Sequence, residues 1–100
     1  MRPILAAALI LSLAAPALAE SRKQREERCT AQSEIVRQAI EMRQQKADEA
    51  TVQEAILAGA DERLAASVPI LVGYVFSLGE DDLKQDVPAA FAEQCAAFQQ

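Results

Sequence analysis

The chain of 100 residues contains no histidine, no tryptophan, three glycines and two cysteines. Without histidine, Ser-His and Cys-His nucleophile pairs cannot form, and the commonest general base is missing. The same absence removes the usual zinc sites, and two cysteines cannot make a four-cysteine site. The spacing of Gly59, Gly73 and Gly79 fits neither the GxxxxGK(S/T) nor the GxGxxG pattern of phosphate-binding loops. We therefore expect a protein that is not an enzyme and that binds no cofactor.

Basic side chains are scarce outside the first part of the chain. Residues 20–46 carry seven basic and five acidic side chains, whereas residues 47–100 carry two basic and ten acidic ones. We expect no nucleic-acid partner, because phosphates need a basic surface. The uneven placement predicts electrostatic packing of the first segment on the rest of the chain. The alternative is a basic stripe that meets an anionic partner.

Carboxylates cluster in the segment EDDLKQD, residues 80–86, which raises the question of a cation site. A calcium loop of EF-hand type needs ligands at alternating positions and a central glycine, and this segment has neither. We interpret it as a solvated loop whose Asp86 caps the next helix. No catalytic, cofactor-binding or metal-binding residue is assigned anywhere in the chain.

The start of the chain has the pattern of a secretory signal peptide. Arg2 supplies a positive charge, an apolar stretch follows, and Pro16 precedes the small-x-small site that ends at Ala19. The apolar stretch is too short to span a bilayer core of about 30 Å, although an uncleaved anchor is the alternative. We expect cleavage after Ala19, and export to the periplasm of a Gram-negative host or secretion. Residues 20–100 would then form a single helical domain without stable membrane insertion.

Cys29 and Cys95 lie near the two ends of this domain. An exported chain with two cysteines most simply forms one disulfide, and free or intermolecular thiols are the alternatives. The CxxC spacing that tunes the pKa of redox thiols is absent. A domain of about 80 residues is near the lower size limit for a core that suffices alone, so we expect the disulfide to be structural.

Residues 20–46 predict a long first helix, because they include no glycine or proline and are mostly good helix formers. Arg22 with Glu26, and Lys23 with Glu27, can form i,i+4 ion pairs in its first turns. Its apolar residues recur near helical spacing. They are Cys29, Ile35, Val36, Ala39, Ile40 and Met42, with Arg43 at the edge of the stripe.

A second helix is predicted from an N-cap at Asp48 to about Ala65. Gly59 weakens this helix or marks a close approach by another backbone. A break at Gly59, which would give two short helices, is the alternative.

The tetrapeptides SVPI and DVPA are the same start signal used twice. In each, a polar capping residue and an extended valine precede a proline that suits the first helical turn. We predict that Pro69 opens a third helix, which Gly79 ends as C-cap, and that Pro88 opens a fourth over residues 88–99. One face of the fourth helix is apolar. It comprises Pro88, Phe91, Ala92, Cys95 and Phe98, which turns Cys95 inward.

The fold class predicted from these elements is all-α, a small compact bundle of about four helices stapled by a Cys29–Cys95 disulfide. Residues 70–78 are apolar nearly all round, which favours a central core helix over a buried strand. The alternative is a groove or a homodimer surface. The candidate residues of this core or partner surface are Ile70, Leu71, Tyr74, Val75 and Leu78.

The order of these features resembles that of small, uncharacterised exported α-helical proteins of Gram-negative bacteria. The signal ending Ala17-Leu18-Ala19, the stretch IVRQAIEMR, the aromatic YVF and the two cysteines carry this resemblance. In its helices and single disulfide the chain is also similar to periplasmic acid-stress chaperones.

We predict an exported, non-enzymatic protein that binds another protein or envelope component. The alternatives are a chaperone-like protein that exposes its apolar helix in acid, and a small lipid or ligand carrier. With fifteen carboxylates and no histidine, a pH response would require acid well below neutrality.

Overall fold

Helices dominate the computed structural model, which describes residues 20–98 and shows no strand among them. The α-helices are α1 (Arg22–Gln44), α2 (Glu49–Gly59), α3 (Glu62–Ala65), α4 (Val68–Ser77) and α5 (Val87–Ala97), and a 3₁₀ helix lies at Asp82–Lys84. The predicted all-α bundle is therefore confirmed. The predicted signal segment, residues 1–19, lies outside the described residues.

The long helix α1 is the element on which the others assemble, since α2, α4 and α5 all contact it. It starts with a capping box: the Gln24 N–H donates to Ser21 Oγ at 3.1 Å, and the Ser21 N–H donates to Gln24 Oε1 at 2.9 Å. This exchange satisfies two backbone donors that a helix start leaves without partners. The predicted stripe is confirmed, because Cys29, Val36 and Ala39 are almost completely buried.

The bundle order follows from the contacts of α1. Gln32 meets Ser67 at the start of α4, and Arg43 meets Val75 near its end, so α4 runs parallel to α1. The short loop after α4 brings α5 back in the opposite direction, and Cys95 reaches α1. There it forms the predicted disulfide with Cys29, with a Cα–Cα distance of 5.7 Å.

One hydrophobic core lies between these helices. Its buried residues are Ile35, Val36, Ala39, Val52, Ile56, Val68, Leu71, Val72, Val75 and Val87. Four of them belong to α4, and no buried polar or charged residue occurs among the described part of the chain. The core is thus built from small and medium aliphatic side chains rather than from aromatic ones.

The predicted ion pairs of α1 are wrong. Arg28 instead pairs with Glu20 at 3.0 Å, and Arg37 pairs with both Glu34 and Glu41. Within residues 20–98, every ion pair joins side chains close in sequence, and none links the basic first segment to the acidic remainder. The expected electrostatic packing of the two segments is therefore not provided by ion pairs.

The second predicted helix is broken at Gly59, the alternative left open by the sequence. Asp48 caps α2 as predicted, and its Oδ1 accepts the Thr51 N–H at 2.8 Å. After Gly59 the backbone of Ala60 is extended, and Asp61 caps the separate helix α3. A Cβ placed on Gly59 would meet nothing within 4 Å, so of the two interpretations of this glycine the close approach by another backbone is wrong.

The two proline-containing starts differ from each other. Both helices begin one residue earlier than predicted, at Val68 and Val87, so neither valine is the extended N-cap. Asp86 caps α5 by accepting the Ala89 N–H at 3.2 Å, whereas Ser67 forms no capping bond and accepts from Gln32 instead. An equal tetrapeptide pattern therefore does not produce an equal cap. Ser67 has a helical backbone that continues the turn after α3, and its hydroxyl accepts from the tertiary partner Gln32.

The ends of these helices also need correction. Leu78, not Gly79, is the extended C-cap of α4, and Gly79 donates its N–H to Asp82 Oδ2 at 2.9 Å. The described helix α5 ends at Ala97, and Phe98 is its C-cap with 61% of its surface exposed. Phe98 consequently does not share the inward face of Cys95.

The end of α1 is a Schellman motif centred on a non-glycine residue. The Lys46 N–H donates to the Arg43 carbonyl at 2.9 Å, and the Ala47 N–H donates to the Met42 carbonyl at 3.1 Å. Lys46 itself has a φ of 74°, in the left-handed region that a Cβ disfavours. Met42 and Ala47 both pack against the core, which supplies the usual apolar contact of this motif.

Replacing Lys46 with glycine is expected to raise the free energy of unfolding by up to about 1 kcal/mol, because glycine adopts the left-handed conformation without a steric penalty. Urea unfolding followed by circular dichroism measures the change. Lys46→Ala is the matched control, since it removes the same charge but keeps the Cβ. An equal gain for both variants would contradict the backbone explanation.

Candidate functional site

The sequence-predicted surface residues divide between the two sides of α4. Leu71 and Val75 are core residues, with 6% and 0% of their surface exposed, and Leu78 is half-buried. Ile70 and Tyr74 point the other way and are 73% and 40% exposed. The five candidates therefore do not form one surface.

We call the solvent-facing side of this helix the α4 outer face. Its residues recur at helical spacing and are exposed except for Gly73, which is half-buried. They are Pro69, Ile70, Gly73, Tyr74 and Ser77. The prediction of a core helix therefore holds only for the inner side of α4, and α1 is the helix that α2, α4 and α5 all contact.

The α4 outer face lies between the start of α2 and the middle of α5. On one side, Glu49 Oε2 lies 3.7 Å from the position that a Cβ of Gly73 would occupy. On the other side, the rings of Tyr74 and Phe91 are 6.3 Å apart, with their planes tilted by 43°. Tyr74 therefore leans on α5 while still exposing part of its ring.

Gly73 has no evident role inside the chain. A glycine within a helix lowers stability by about 1 kcal/mol relative to alanine. The φ of Gly73 is not positive, and a methyl group at this position would make only ordinary contact with the carboxylate of Glu49. The missing side chain instead leaves a gap in the α4 outer face, next to Ile70 and Tyr74, which we call the Gly73 notch.

Polar contacts with α1 fix the orientation of α4. Arg43 Nη1 donates to the carbonyl oxygen of Val75 at 2.6 Å, and its guanidinium lies 5.8 Å from the ring centroid of Phe76. At the other end, Gln32 Nε2 donates to Ser67 Oγ at 3.3 Å. A cation that donates to a carbonyl in the last turn of a helix also complements the helix dipole. The contacts therefore hold the α4 outer face toward solvent.

The role of Arg43 was missed by the sequence reasoning. The available signal was its place at the edge of the apolar stripe of α1, where a charged side chain is unexpected. Sequence spacing could not identify its partners, because Val75 and Phe76 are more than thirty residues away.

Carboxylates are frequent in the chain segments next to the α4 outer face, and we call them the acidic rim. All of them are exposed. They are Glu49 beside Gly73, Asp61 and Glu62 before α4, and Glu80, Asp81, Asp82 and Asp86 after it. The same segments hold two basic residues, Arg63 and Lys84, each paired with a nearby aspartate. Seven carboxylates against two cations give a net charge of −5 around the face.

Five of the rim carboxylates form no ion pair within residues 20–98. They are Glu49, Glu62, Glu80, Asp82 and Asp86, of which Asp82 and Asp86 accept a backbone N–H. Within that range, no three or more histidine, cysteine, aspartate or glutamate residues are grouped so that they could hold a metal ion. The rim therefore acts in this structure as a distributed negative charge.

The capping carboxylates make part of the stability depend on pH. The Thr51 N–H holds the pKa of Asp48 below its ordinary value, and the Arg63 N–H does the same for the pKa of Asp61. Because these pKa values are lower in the folded than in the unfolded chain, the unfolded chain binds more protons as the pH falls. Their stabilisation is present above the unfolded pKa of 3.8 and is lost as the pH falls through the folded pKa.

Asp48→Asn is expected to make the stability depend less on pH in acid. Asparagine still accepts the Thr51 N–H, but it does not take up a proton as the pH falls. The midpoint of urea unfolding, measured from pH 6 to pH 2.5, should fall less steeply in the variant than in the wild-type protein. Glu54→Gln, which changes an exposed residue of α2 that caps no helix, is the control and should retain the wild-type slope. An unchanged slope in Asp48→Asn would contradict the capping assignment.

None of the helices described here is both long enough and apolar enough to cross a membrane. Comparisons with protein-family models, with curated proteins and with solved structures find no match to this chain.

Proposed function

We propose that this is an exported, non-enzymatic helical protein that acts by binding another protein through the α4 outer face. The observation that carries the proposal is the 73% exposure of Ile70 on a helix whose opposite side is tightly packed in the core. Covering a large, solvent-exposed aliphatic side chain with a partner lowers the free energy of the complex. Tyr74 adds an aromatic ring with a polar end, a side chain that is enriched at protein interfaces.

The fixed orientation of α4 supports the same proposal. Contacts of α1 with Ser67 and Val75 hold the helix near both of its ends, so the face requires little ordering when a partner binds. Preorganised surfaces bind more tightly because less conformational entropy is lost.

Site-specific photocrosslinking tests this function. Benzoylphenylalanine at position 74 replaces one exposed aromatic side chain with another, and we expect it to form a protein adduct in cells that produce the full chain. The same group at position 54, on the exposed surface of α2, is the control and should not form that adduct. The adduct should also disappear when Ile70→Ser is added. Equal crosslinking from positions 54 and 74, or adducts insensitive to Ile70→Ser, would refute the proposal.

Export is a separate part of the proposal, supported by the pattern of residues 1–19 and by the Cys29–Cys95 disulfide. Disulfides persist in oxidising compartments such as the periplasm. When the full chain is produced in a Gram-negative host, the periplasmic fraction should contain a protein whose intact mass corresponds to a chain starting at Glu20. A full-length mass confined to the cytoplasmic fraction would oppose export.

Acid-dependent chaperone activity is the second candidate, and the capping carboxylates favour it specifically. Loss of the Asp48 and Asp61 caps at low pH would loosen α2 and α3, which connect to the apolar helix α4. A chaperone of this type should bind a hydrophobic dye and suppress client aggregation at pH 3 but not at pH 7. Absence of dye binding at pH 3 would remove this candidate.

A further inference from the structure

We propose that the partner segment bound by the α4 outer face is a basic amphipathic helix. Its apolar side chains would cover Ile70 and Tyr74, and a lysine or arginine side chain would enter the Gly73 notch and reach Glu49. This inference rests on the proposed function and specifies the chemistry of the partner.

The apolar part of the face has the shape that a helix needs. Ile70 and Tyr74 are one turn apart, so they form a short ridge along α4. The Gly73 notch lies beside this ridge, and a missing side chain lets another helix approach closely. A Cβ at this position would make only an ordinary contact with Glu49, so packing within the described chain does not require the glycine. Close approach by a partner helix would use it.

The exposed carboxylates near the face indicate the charge of the partner helix's polar side. Glu49 is exposed, forms no ion pair within residues 20–98 and lies next to the notch. The remaining rim carboxylates are exposed and lie in the segments that precede and follow α4 in the chain. A partner with an apolar stripe flanked by lysine or arginine complements both parts of the surface at once.

A second copy of this chain fits the surface less well. Symmetric pairing through the α4 outer face would bring two acidic rims, each with a net charge of −5, toward each other. The basic start of α1, residues 22–28, could approach the rim of another copy, but it contains no apolar side chain that could cover Ile70 and Tyr74. Self-association is therefore an outcome that the test must distinguish.

Binding of designed peptides to the oxidised protein, produced from the full chain, tests the inference. The probe is a fluorescent helix of about eighteen residues with leucine on one face and lysine on the other, about five helical turns. Two matched peptides replace lysine by glutamate or leucine by serine. Fluorescence anisotropy should show affinity for the leucine–lysine peptide that exceeds the affinity for either control by about tenfold or more. The affinity should decrease as the salt concentration increases.

Variants of the protein locate the binding site. Ile70→Ser should weaken leucine–lysine binding by about tenfold, because it removes the main apolar contact. Glu49→Gln should weaken it by about two- to fivefold, the range for one exposed ion pair. Gly73→Leu fills the notch and should abolish leucine–lysine binding, because the peptide helix can no longer approach α4 closely. Glu54→Gln, which removes an exposed carboxylate elsewhere on α2, should change the affinity by less than about twofold. Thermal unfolding of each variant confirms that the fold is retained.

Equal binding of the leucine–lysine and leucine–glutamate peptides would overturn the inference, as would wild-type affinity in Gly73→Leu and Ile70→Ser. Dimerisation of the protein in sedimentation experiments, abolished by Ile70→Ser, would assign the face to a second copy and also overturn it. If the position-74 crosslink forms but the basic peptide does not bind, the partner chemistry is wrong and the proposed function stands. If both fail, the proposed function itself is refuted.

Discussion

Reduction of the Cys29–Cys95 disulfide is expected to lower the free energy of unfolding by up to about 4 kcal/mol, the loop-entropy estimate for a bond that closes a loop of this size. The two cysteines are 66 residues apart, so the bond restricts most of the described chain when it unfolds. It also ties α5 to α1, and α5 contributes only Val87 to the buried core. A loss of this size is a large fraction of the stability of a small domain, which is about 5–15 kcal/mol.

Urea unfolding of the wild-type protein with and without reductant measures this effect. The double variant C29A/C95A is the matched control, because it lacks the bond in both conditions and reductant should not change its unfolding midpoint. Alanine is preferable to serine here, because Cys29 is 2% exposed and a serine hydroxyl would be buried without a hydrogen-bond partner. Coincident curves for oxidised and reduced wild-type protein would show that the core alone determines the stability.

A second consequence concerns which part of the bundle loosens first. Cys95 and Phe91 are only half-buried, whereas Val36 and Val72 are completely buried. Without the bond, α5 should therefore lose protection against hydrogen exchange before α1 and α4 do. Equal loss of protection in all three helices would instead indicate that the bundle opens as one cooperative unit.

The sequence predicted the parts of the fold that depend on local chemistry or on composition. The apolar stripe of α1 has a clear helical period, and its most buried members were identified correctly. Asp48 and Asp86 were predicted as caps, and both accept a backbone N–H three residues ahead. The cysteine pair followed from the expected compartment and from the number of cysteines, without any geometric information.

The errors at these helix ends arise where another residue binds the group that was expected to cap the helix. Ser67 has the side chain of an N-cap, but Gln32 donates to it across the bundle. Gly79 stands where a C-cap glycine is expected, yet Leu78 ends the helix in an extended conformation and Asp82 binds the glycine N–H. The Gln32–Ser67 contact depends on the tertiary fold, so local patterns cannot show it. Asp82 lies only three residues after Gly79, so that contact is local and the sequence analysis overlooked it.

The exposed side of α4 could not be predicted for a different reason. In a helix that is apolar nearly all round, the spacing of apolar residues does not mark one side, so it cannot predict which residues face the core. Packing against α1 and α2 decides which side faces the core. This packing buries Leu71 and Val75 and leaves Ile70 and Tyr74 exposed. Glu49, which lies beside Gly73, belongs to another helix, so its place in the site could not be predicted from the spacing of α4 residues either.

Leu71→Ala is expected to lower the free energy of unfolding by about 2–5 kcal/mol, whereas Ile70→Ala should change it by less than about 0.5 kcal/mol. The two residues are neighbours in one helix and have aliphatic side chains of equal size. Leu71 is 6% exposed and belongs to the core cluster, so its truncation removes packed atoms and leaves a cavity. Ile70 is 73% exposed, and its truncation removes few contacts within the chain.

Urea unfolding of both variants at pH 7 measures these changes, and peptide binding or crosslinking measures their effect on function. Ile70→Ala should retain stability and lose partner affinity, while Leu71→Ala should lose stability. Equal destabilisation by the two variants would show that α4 is enclosed on both sides, as in the central-helix interpretation. The opposite result, a stable Ile70→Ala protein that no longer captures its partner, would separate the residues that fold this helix from those that it presents.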